Sequence, residues 1–313
     1  MSEKNNDTPL MVTILGPTAT GKTSLAANIA ASLDGEIISA DSRQVYRGMD
    51  LGTGKDYADY IVNGQKIPYH LVDIVDPGYE YNVFEFQQDF LKVLPKIIEK
   101  GKLPILCGGT GMYLEAVLSG YKLLTVPENH ELRSSLQNKS LEELNIVLHG
   151  FRDIHNTTDG THRERAIRAI EIAAFRKMNL QDHNLMPKID HRIFGVYFER
   201  SVIRGRITTR LKQRLDSGML DEIKSLIGSG LTPEQLTFYG LEYRYLTDYV
   251  TGKIDYNEMF TKLNTAIHQF AKRQMTWFRR MEKKGLNIVW IDGEISLQEK
   301  MEVITRKMGE GRG

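Results

Sequence analysis

The chain reads G-P-T-A-T-G-K-T from Gly16 to Thr23, and this stretch decides the fold. The preceding run, residues 11–15, is apolar and rich in aliphatic side chains, which predicts a buried strand. The following run, residues 24–33, is rich in Ala and Leu at helical spacing. A strand, a glycine-bounded loop and a helix opened by a lysine and a threonine form the pattern of a phosphate-binding loop.

The loop offers several groups to one anion. Its two glycines permit turns that a residue with a Cβ resists. The loop amides and the helix N-terminus favour a negative charge. Lys22 adds a positive charge, and the Thr23 hydroxyl can bind Mg²⁺. We therefore expect a phosphate group to contact Gly16, Pro17, Thr18, Ala19, Thr20, Gly21, Lys22 and Thr23. The pattern does not identify the phosphate compound.

Composition limits the class of protein. The 313 residues allow one large domain or two smaller ones, and 41% hydrophobic with 26% charged residues is ordinary for a globular protein. A single cysteine, Cys107, excludes an internal disulfide, and no apolar run approaches the roughly 20 residues that span a bilayer. We expect a cytoplasmic enzyme. Because the net charge is only +1, any nucleic acid must be attracted by local basic clusters.

Strand and helix patterns alternate in the first third of the chain. Residues 36–39, 67–74 and 103–107 are predicted to contain strands, and residues 83–100 form an amphipathic pattern typical of a helix. This alternation favours a parallel sheet with helices on both faces.

The hydrophobic pattern of the sequence changes after residue 120. Residues 126–189 show helical patterns and are predicted to form a helical insertion. Strand patterns return at 193–198 and 287–291, between helical stretches that include a break near Gly218. We therefore expect a core of residues 1–125 and 190–313 that is interrupted by the insertion.

Two polar residues follow predicted strands. Asp41 comes just after the second strand, where open α/β sheets bind ligands, and it is a candidate general base. Thr110 lies in a glycine-rich turn after the fourth strand and could place its hydroxyl in the same cleft. Each is about equally well explained as an ordinary turn or capping residue.

Three basic clusters stand out, at residues 163–168, 200–214 and 272–280. Residues 206, 210 and 214 share one face of a helix, and their one-sided charge suggests contacts with diphosphate or RNA. The last cluster interleaves basic and aromatic residues, which suits an RNA strand, although its Trp277 could simply belong to a core. The histidines show no metal-ligand spacing, and we expect them to be structural.

Five motifs in order resemble one family, the tRNA dimethylallyltransferases, also called tRNA isopentenyltransferases. They are the loop quoted first and residues 41–55, 68–77, 104–113 and 271–279. The resemblance extends over nearly the whole chain. Eukaryotic members carry a zinc finger for which this chain has no cysteines, so it is similar to the bacterial form.

The resemblance implies an α/β fold with a P-loop NTPase-like parallel sheet, flanking helices and a helical insertion domain that binds tRNA. It implies transfer of a dimethylallyl group from dimethylallyl diphosphate to N6 of the adenine 3′ of the tRNA anticodon, with release of diphosphate. It further implies Mg²⁺ as the cofactor, a cytoplasmic monomer without a protein partner, and no membrane association.

Residue roles follow from the same resemblance. Asp41 would take the N6 proton, with Thr110 beside it as a catalytic residue. The loop would hold the diphosphate with Mg²⁺ near Thr23, and Arg206 or Arg210 would add positive charge. Together with the basic clusters, the resemblance assigns tRNA contacts to Asp41, Ser42, Arg43, Gln44, Thr110, Arg133, Arg165, Arg168, Lys272, Arg273 and Arg280.

Two stretches depart from the family pattern. They are residues 156–165 of the insertion and Ile267-His268, both in regions that serve tRNA binding in the family. Three alternatives stand beside the tRNA enzyme: an isopentenyltransferase that acts on a free adenine nucleotide, a P-loop small-molecule kinase, and a non-catalytic RNA-binding protein, which would have no use for Asp41 or Lys22. The basic clusters argue against the first, and nothing beyond the loop calls for the γ-phosphate that a kinase transfers.

Overall fold

A computed structural model describes residues 8–151, 160–178 and 186–309. Residues 156–165, where the sequence departs from the family pattern, therefore lie partly outside the described residues. The chain divides into two compact units, residues 1–121 with 187–313 and residues 122–186. This division falls close to the predicted boundaries at 126 and 189. No helix among the described residues is both long and apolar enough to cross a membrane.

The first unit is built on a parallel sheet, as predicted. The strands of the described residues are β1 (Leu10–Leu15), β2 (Gly35–Ala40), β3 (Ile61–Val62), β4 (Gln65–Lys66), β5 (Tyr69–His70), β6 (Leu103–Gly108), β7 (Asp190–Tyr197) and β8 (Ile288–Asp292). Six of them form a sheet in the order β5-β2-β6-β1-β7-β8, and every pairing in it is parallel. The antiparallel pair β3–β4 lies apart from it.

The register aligns three strand ends. Leu15 lies opposite both Gly108 and Gly195, and Ala40 also lies opposite Gly108. The loops that follow β1, β2 and β6 therefore leave the sheet side by side at its carboxyl edge. This is the edge at which open α/β sheets bind ligands.

Helices cover the sheet and build the second unit. Those of the first unit are α1 (Lys22–Leu33), α2 (Val83–Glu99), α3 (Gly111–Leu118), α7 (Arg200–Asp216), α8 (Met219–Gly228), α9 (Pro233–Phe238), α10 (Leu241–Val250), α11 (Tyr256–Lys283) and α12 (Leu297–Gly309). Those of the second unit are α4 (His130–Leu136), α5 (Leu141–His149) and α6 (Arg163–Met178). The predicted break near Gly218 is confirmed between α7 and α8, where Gly218 has a φ of 99°.

Sequence patterns did not predict one strand and two helices correctly. The predicted strand within residues 67–74 shrinks to the two residues of β5, because Leu71 and Asp73 adopt positive φ and turn the chain away from the sheet. Helices α10 and α12 were not predicted. The first is separated from α9 by Gly240, whose φ of 128° suits only glycine. The second has a single fully buried side chain, Ile304, and so gives a weak apolar pattern.

The second unit has its own small core and one buried carboxylate. Leu144, Leu148 and Ile170 lie in the core between α4, α5 and α6. Glu171 of α6, which is 2% exposed, accepts hydrogen bonds from the guanidinium groups of Arg133 at 2.7 Å and Arg168 at 3.0 Å. Both arginines, predicted to contact tRNA, are therefore also structural partners of Glu171.

We expect Glu171→Gln to destabilise the second unit by about 2 kcal/mol, since it breaks a buried ion pair whose arginines are only partly buried. Burial alone would raise the pKa of Glu171, but the bonds from Arg133, the Asn129 amide and Arg168 outweigh burial and lower the pKa to about 2. Its contribution is therefore present above its unfolded pKa and is lost as pH falls from about 4.5 towards 2. Thermal unfolding by circular dichroism between pH 7 and 3 checks both statements. Glu164→Gln, an exposed change on α6, should have little effect at any pH.

Candidate functional site

A cleft of about 1130 Å³ opens at the carboxyl edge of the sheet within the first unit. The loops after β1, β2 and β6 form its floor, and α7, the α9–α10 corner and α11 form its walls. The cleft brings together Lys22, Asp41 and Thr110, which are far apart in the sequence. The expectation that these residues face one cleft is met.

The phosphate loop is held in shape by its own contacts. The Thr20 hydroxyl donates to the Pro17 carbonyl at 2.9 Å, and the Lys22 ammonium reaches the same carbonyl at 3.5 Å. Gly21 has a φ of 77°, a backbone conformation that favours glycine, and this accounts for the glycine at that position. Gly16 needs a different explanation from the one predicted: its φ is not positive, but a Cβ there would lie 2.8 Å from the Val196 carbonyl oxygen.

Asp41 and Thr110 lie on neighbouring loops. Asp41 accepts a hydrogen bond from the Arg43 amide at 3.0 Å, which fixes the orientation of its carboxylate. The Thr110 hydroxyl accepts from the Ser42 amide at 3.0 Å, and the Thr110 amide donates to the Ala40 carbonyl at 3.2 Å. The loop after β6 thus supports the loop that carries Asp41. A carboxylate in this position can accept a proton from a bound nucleophile.

Helix α7 aims a row of arginines at the phosphate loop. Arg206 Nε donates to the Ala19 carbonyl at 2.9 Å, and Arg210 lies 3.4 Å from the Thr18 hydroxyl. Arg214, one turn further on, also lines the cleft. The predicted common face of residues 206, 210 and 214 is confirmed, and it is the face that lines the cleft.

Burial and the charges that line the cleft shift the pKa values of two of its side chains. Burial is the largest cause that lowers the pKa of Lys22; Cys107 and Asp41 act against burial, and Arg210 and Arg214 add to it. Burial also raises the pKa of Glu242, and the same two arginines only partly offset it. Arg206, Arg210 and Arg214 make the wall formed by α7 rich in basic side chains, which suits a site for a multiply charged anion.

Comparisons with known proteins identify the family. The chain matches the family described as "IPP transferase" over residues 44–281, and the one described as "Isopentenyl transferase" over residues 10–71. The first match extends over more than half of the chain. The chain belongs to the IPP transferase family.

Curated relatives of the chain carry a consistent name. The chain is 60% identical over 294 residues to a "tRNA dimethylallyltransferase 2" of Phocaeicola vulgatus, a match that covers 94% of this chain and 96% of the relative. It is 56% identical over 300 residues to a protein of the same name from Bacteroides fragilis, with 96% and 98% covered. The predicted membership of the tRNA dimethylallyltransferases is confirmed, and with it the enzyme class.

Solved structures agree on the fold. The full-length tRNA isopentenylpyrophosphate transferase of Bacillus halodurans aligns with a TM-score of 0.70 at 32% identity and 96% coverage of both chains. A eukaryotic dimethylallyltransferase acting on tRNA aligns with a TM-score of 0.78 at 23% identity, over 96% of this chain and 78% of that one. The second likeness concerns the fold alone.

Some of the residues predicted to contact tRNA line the cleft, among them Arg43, Gln44 and Arg273. Arg43 lies with its guanidinium 5.5 Å from the Phe238 ring centre, and Arg273 lies 5.8 Å from that of Phe270, all four residues lining the cleft. The side-chain nitrogen of Gln44 donates a hydrogen bond to the Gly54 carbonyl at 3.2 Å.

Others lie outside the cleft. Lys272 is exposed on α11, and Arg165 is exposed on α6 of the second unit. Arg280 donates to the buried carboxylate of Glu115 at 2.8 Å and packs 4.0 Å from the Trp277 ring centre. Arg280 therefore has a structural role in joining α11 to α3, whatever it contributes to RNA binding.

Gln274 is a site residue that sequence reasoning missed. Its side-chain oxygen accepts from the Thr18 amide at 2.9 Å, and its side-chain nitrogen donates to the Gly109 carbonyl at 2.9 Å. One buried side chain thus joins the phosphate loop to the turn that carries Thr110. It lies within the motif at residues 271–279, where the basic and aromatic residues give the stronger signal.

We expect Gln274→Ala to lower kcat/KM about 10-fold or more, because two loops lose their common hydrogen-bond partner and the catalytic groups lose their alignment. Steady-state kinetics checks this. Gln87→Ala is the matched control, since Gln87 is also buried and donates to two carbonyls, those of Ala116 at 3.0 Å and Tyr121 at 2.8 Å, but it does not line the cleft. A comparable loss of kcat/KM in both variants would mean that Gln274 acts through general stability.

Proposed function

We propose that this protein transfers the dimethylallyl group of dimethylallyl diphosphate to N6 of the adenine 3′ of the tRNA anticodon. The observation that carries the proposal is that a phosphate loop, a row of arginines and the Asp41 carboxylate line one cleft. The names of the relatives supply the substrate class.

The diphosphate would lie on the phosphate loop, where the amides at the start of α1, Lys22 and Arg206 or Arg210 neutralise its charge. N6 of a flipped-out adenine attacks C1 of the dimethylallyl group, and the C1–O bond breaks. The electron pair of that bond leaves with the diphosphate. Asp41 accepts the N6 proton, which removes the positive charge that forms on nitrogen.

Thr110 and Ser42 orient rather than exchange protons. Their hydrogen bonds hold the loop after β2 against the loop after β6, so that the Asp41 carboxylate points at the cleft. Positioning of this kind supplies much of the rate enhancement in a two-substrate transfer.

The residues present suit a magnesium ion that is bound together with the diphosphate. Thr23 offers a hydroxyl in the first turn of α1, and it lines the same cleft as Asp41. Mg²⁺ prefers oxygen ligands and commonly combines a few protein oxygens with substrate phosphates. When bound, it would neutralise charge on the diphosphate. Thr23 is the residue that we propose holds it.

The proposal also includes the cellular compartment of the enzyme and the number of chains that it needs. An enzyme of tRNA in a bacterial cell would act in the cytoplasm. A single chain would suffice, because every group named above comes from the first unit of one protomer.

Incubation with labelled dimethylallyl diphosphate and Mg²⁺, with tRNA, AMP or ATP as acceptor, tests the proposal. We expect label only in tRNA, at the adenine 3′ of the anticodon, together with free diphosphate. Label in AMP or ATP would establish the nucleotide-prenylating enzyme instead. Hydrolysis or transfer of the γ-phosphate of ATP without prenyl transfer would establish a kinase.

We expect tRNA affinity to fall steeply with salt, because the near-neutral protein must attract RNA through local basic clusters that displace counterions. Lys272→Glu should weaken binding of all tRNAs and make the slope of log affinity against log salt shallower by about one unit. Filter binding between low and moderate salt measures both. Lys224→Glu is the control, because Lys224 is an exposed lysine on α8 that lies outside the three basic clusters. A flat salt dependence of the unmodified protein would contradict the assigned clusters.

A further inference from the structure

One carboxylate pairs with two of the three arginines that α7 contributes to the cleft. Asp56 Oδ2 accepts a hydrogen bond from Arg210 at 2.7 Å and another from Arg214 at 3.1 Å. Asp56 lies in the glycine-rich loop that follows β2, and it lines the same cleft as the phosphate loop. Two positive charges of α7 therefore converge on a negative charge that the protein itself supplies.

The arrangement faces the phosphate loop directly. The Arg210 guanidinium that bonds Asp56 also lies 3.4 Å from the Thr18 hydroxyl of that loop. Arg214 is 12% exposed, and its Nε, buried on the cleft wall, has no hydrogen-bond acceptor among the described residues. Both side chains are thus held in place with donor capacity left over.

Asp56 is firmly in its charged form. Burial alone would raise its pKa, but the charges and hydrogen bonds of Arg214 and Arg210 outweigh burial and lower the pKa of the carboxyl. Around neutral pH it therefore carries a negative charge in the same cleft, bonded to an arginine that also reaches the Thr18 hydroxyl of the phosphate loop. Such a charge repels any anion that approaches the loop.

We infer that Asp56 is a placeholder anion, a positioning residue that keeps Arg210 and Arg214 extended towards the phosphate loop and at the same time weakens the hold of the cleft on diphosphate. The inference rests on the proposed function, because diphosphate is both part of one substrate and the second product. An enzyme that releases diphosphate in every cycle gains from a built-in competitor, since a cleft with unopposed arginines would retain the product.

Removal of the Asp56 charge should tighten anion binding, whereas removal of a purely structural partner of the arginines would leave binding equal or weaker. Asp56→Asn removes the negative charge but keeps an oxygen that can accept a hydrogen bond from either arginine. We expect it to bind inorganic pyrophosphate about 10-fold more tightly than the unmodified protein, because one repulsive charge near the anion is lost. In turnover, both KM for dimethylallyl diphosphate and kcat should fall, as substrate binds better and product leaves more slowly.

The decisive measurement is the affinity for pyrophosphate by isothermal titration calorimetry in metal-free buffer, where Asp56 cannot act through a cation. Asp56→Glu, which keeps the charge, should bind like the unmodified protein. Asp76→Asn is the matched charge control, because Asp76 is 78% exposed and pairs with Arg47 at the surface. Its affinity should not change. Asp56→Ser, tested in parallel, should also bind more tightly and provides a second variant if Asp56→Asn does not fold.

Tighter binding by the uncharged variants, with Asp56→Glu and Asp76→Asn unchanged, supports the inference. Equal or weaker binding by the folded variants, including no binding by any of the proteins, overturns it and leaves Asp56 a purely structural partner of the arginines. Prenyl transfer by the unmodified protein is measured separately with Mg²⁺. Transfer to tRNA without the affinity gain would refute the placeholder alone, whereas no transfer would refute the proposed function.

Discussion

We expect Asp41→Asn and Asp41→Ala to lower the rate of prenyl transfer about 10²- to 10⁴-fold while tRNA binding stays close to normal, because loss of a general base has an effect of that size. Asp41→Asn is the more informative of the two variants. Its side-chain oxygen can still accept the hydrogen bond from the Arg43 amide, so that the loop keeps its shape while the basic group is gone. Single-turnover transfer of labelled substrate measures the rate, and filter binding measures tRNA affinity.

Asp76→Asn serves as the control for Asp41, since it removes the same charge at an exposed position outside the cleft. Its transfer rate should match that of the unmodified protein. Near-normal turnover by Asp41→Asn would contradict the assignment of the base. A parallel loss of tRNA affinity and rate would instead make Asp41 an RNA-binding residue.

Lys22→Ala should raise KM for dimethylallyl diphosphate at least about 10-fold and lower kcat about 10²- to 10³-fold. The reason is that the ammonium group faces the site of a leaving diphosphate, on which negative charge increases as the bond to carbon breaks. In the structure this ammonium turns back to the Pro17 carbonyl of the loop, so it already lies within the volume that the loop encloses. Steady-state kinetics with each substrate varied in turn separates the two effects.

Lys102→Ala is the control for Lys22, because Lys102 is a surface lysine that pairs with Asp34 away from the cleft. KM for tRNA should stay nearly constant in both variants. If KM for dimethylallyl diphosphate stayed unchanged in Lys22→Ala, the loop would bind something other than the diphosphate of this substrate.

Local sequence was enough to predict the sheet and its binding edge. The runs of β1 and β6 are short, apolar and followed by glycine-rich turns, and such patterns depend only on neighbours in the chain. Because parallel strands end at one edge, the order of strands and turns in the sequence is enough to place Asp41 and Thr110 near the phosphate loop. The common face of Arg206 and Arg210 followed equally from helical periodicity.

Contacts between distant segments could not be predicted in this way. Gln274 bonds the Thr18 amide across 256 positions, and Asp56 bonds Arg210 across 154. Gln274 lies in the buried stripe of α11 between Ala271 and Phe278, so helical spacing predicts its burial but not the two loops that it bonds. Asp56 belongs to no periodic pattern, so nothing in its neighbourhood distinguishes it from a surface aspartate. Arg280 shows the reverse error, since a residue of a basic cluster proves to be a partner of the buried Glu115.

The sequence by itself thus determined the phosphate loop, the parallel sheet and the residues at its carboxyl edge, because these depend on local periodicity and on the geometry common to all parallel sheets. The tertiary structure alone decided which charges meet. Pairing across the cleft depends on where α7 and α11 pack against the sheet, and packing is set by the whole core rather than by any one segment. That is why only the folded chain reveals Asp56 as the partner of two arginines.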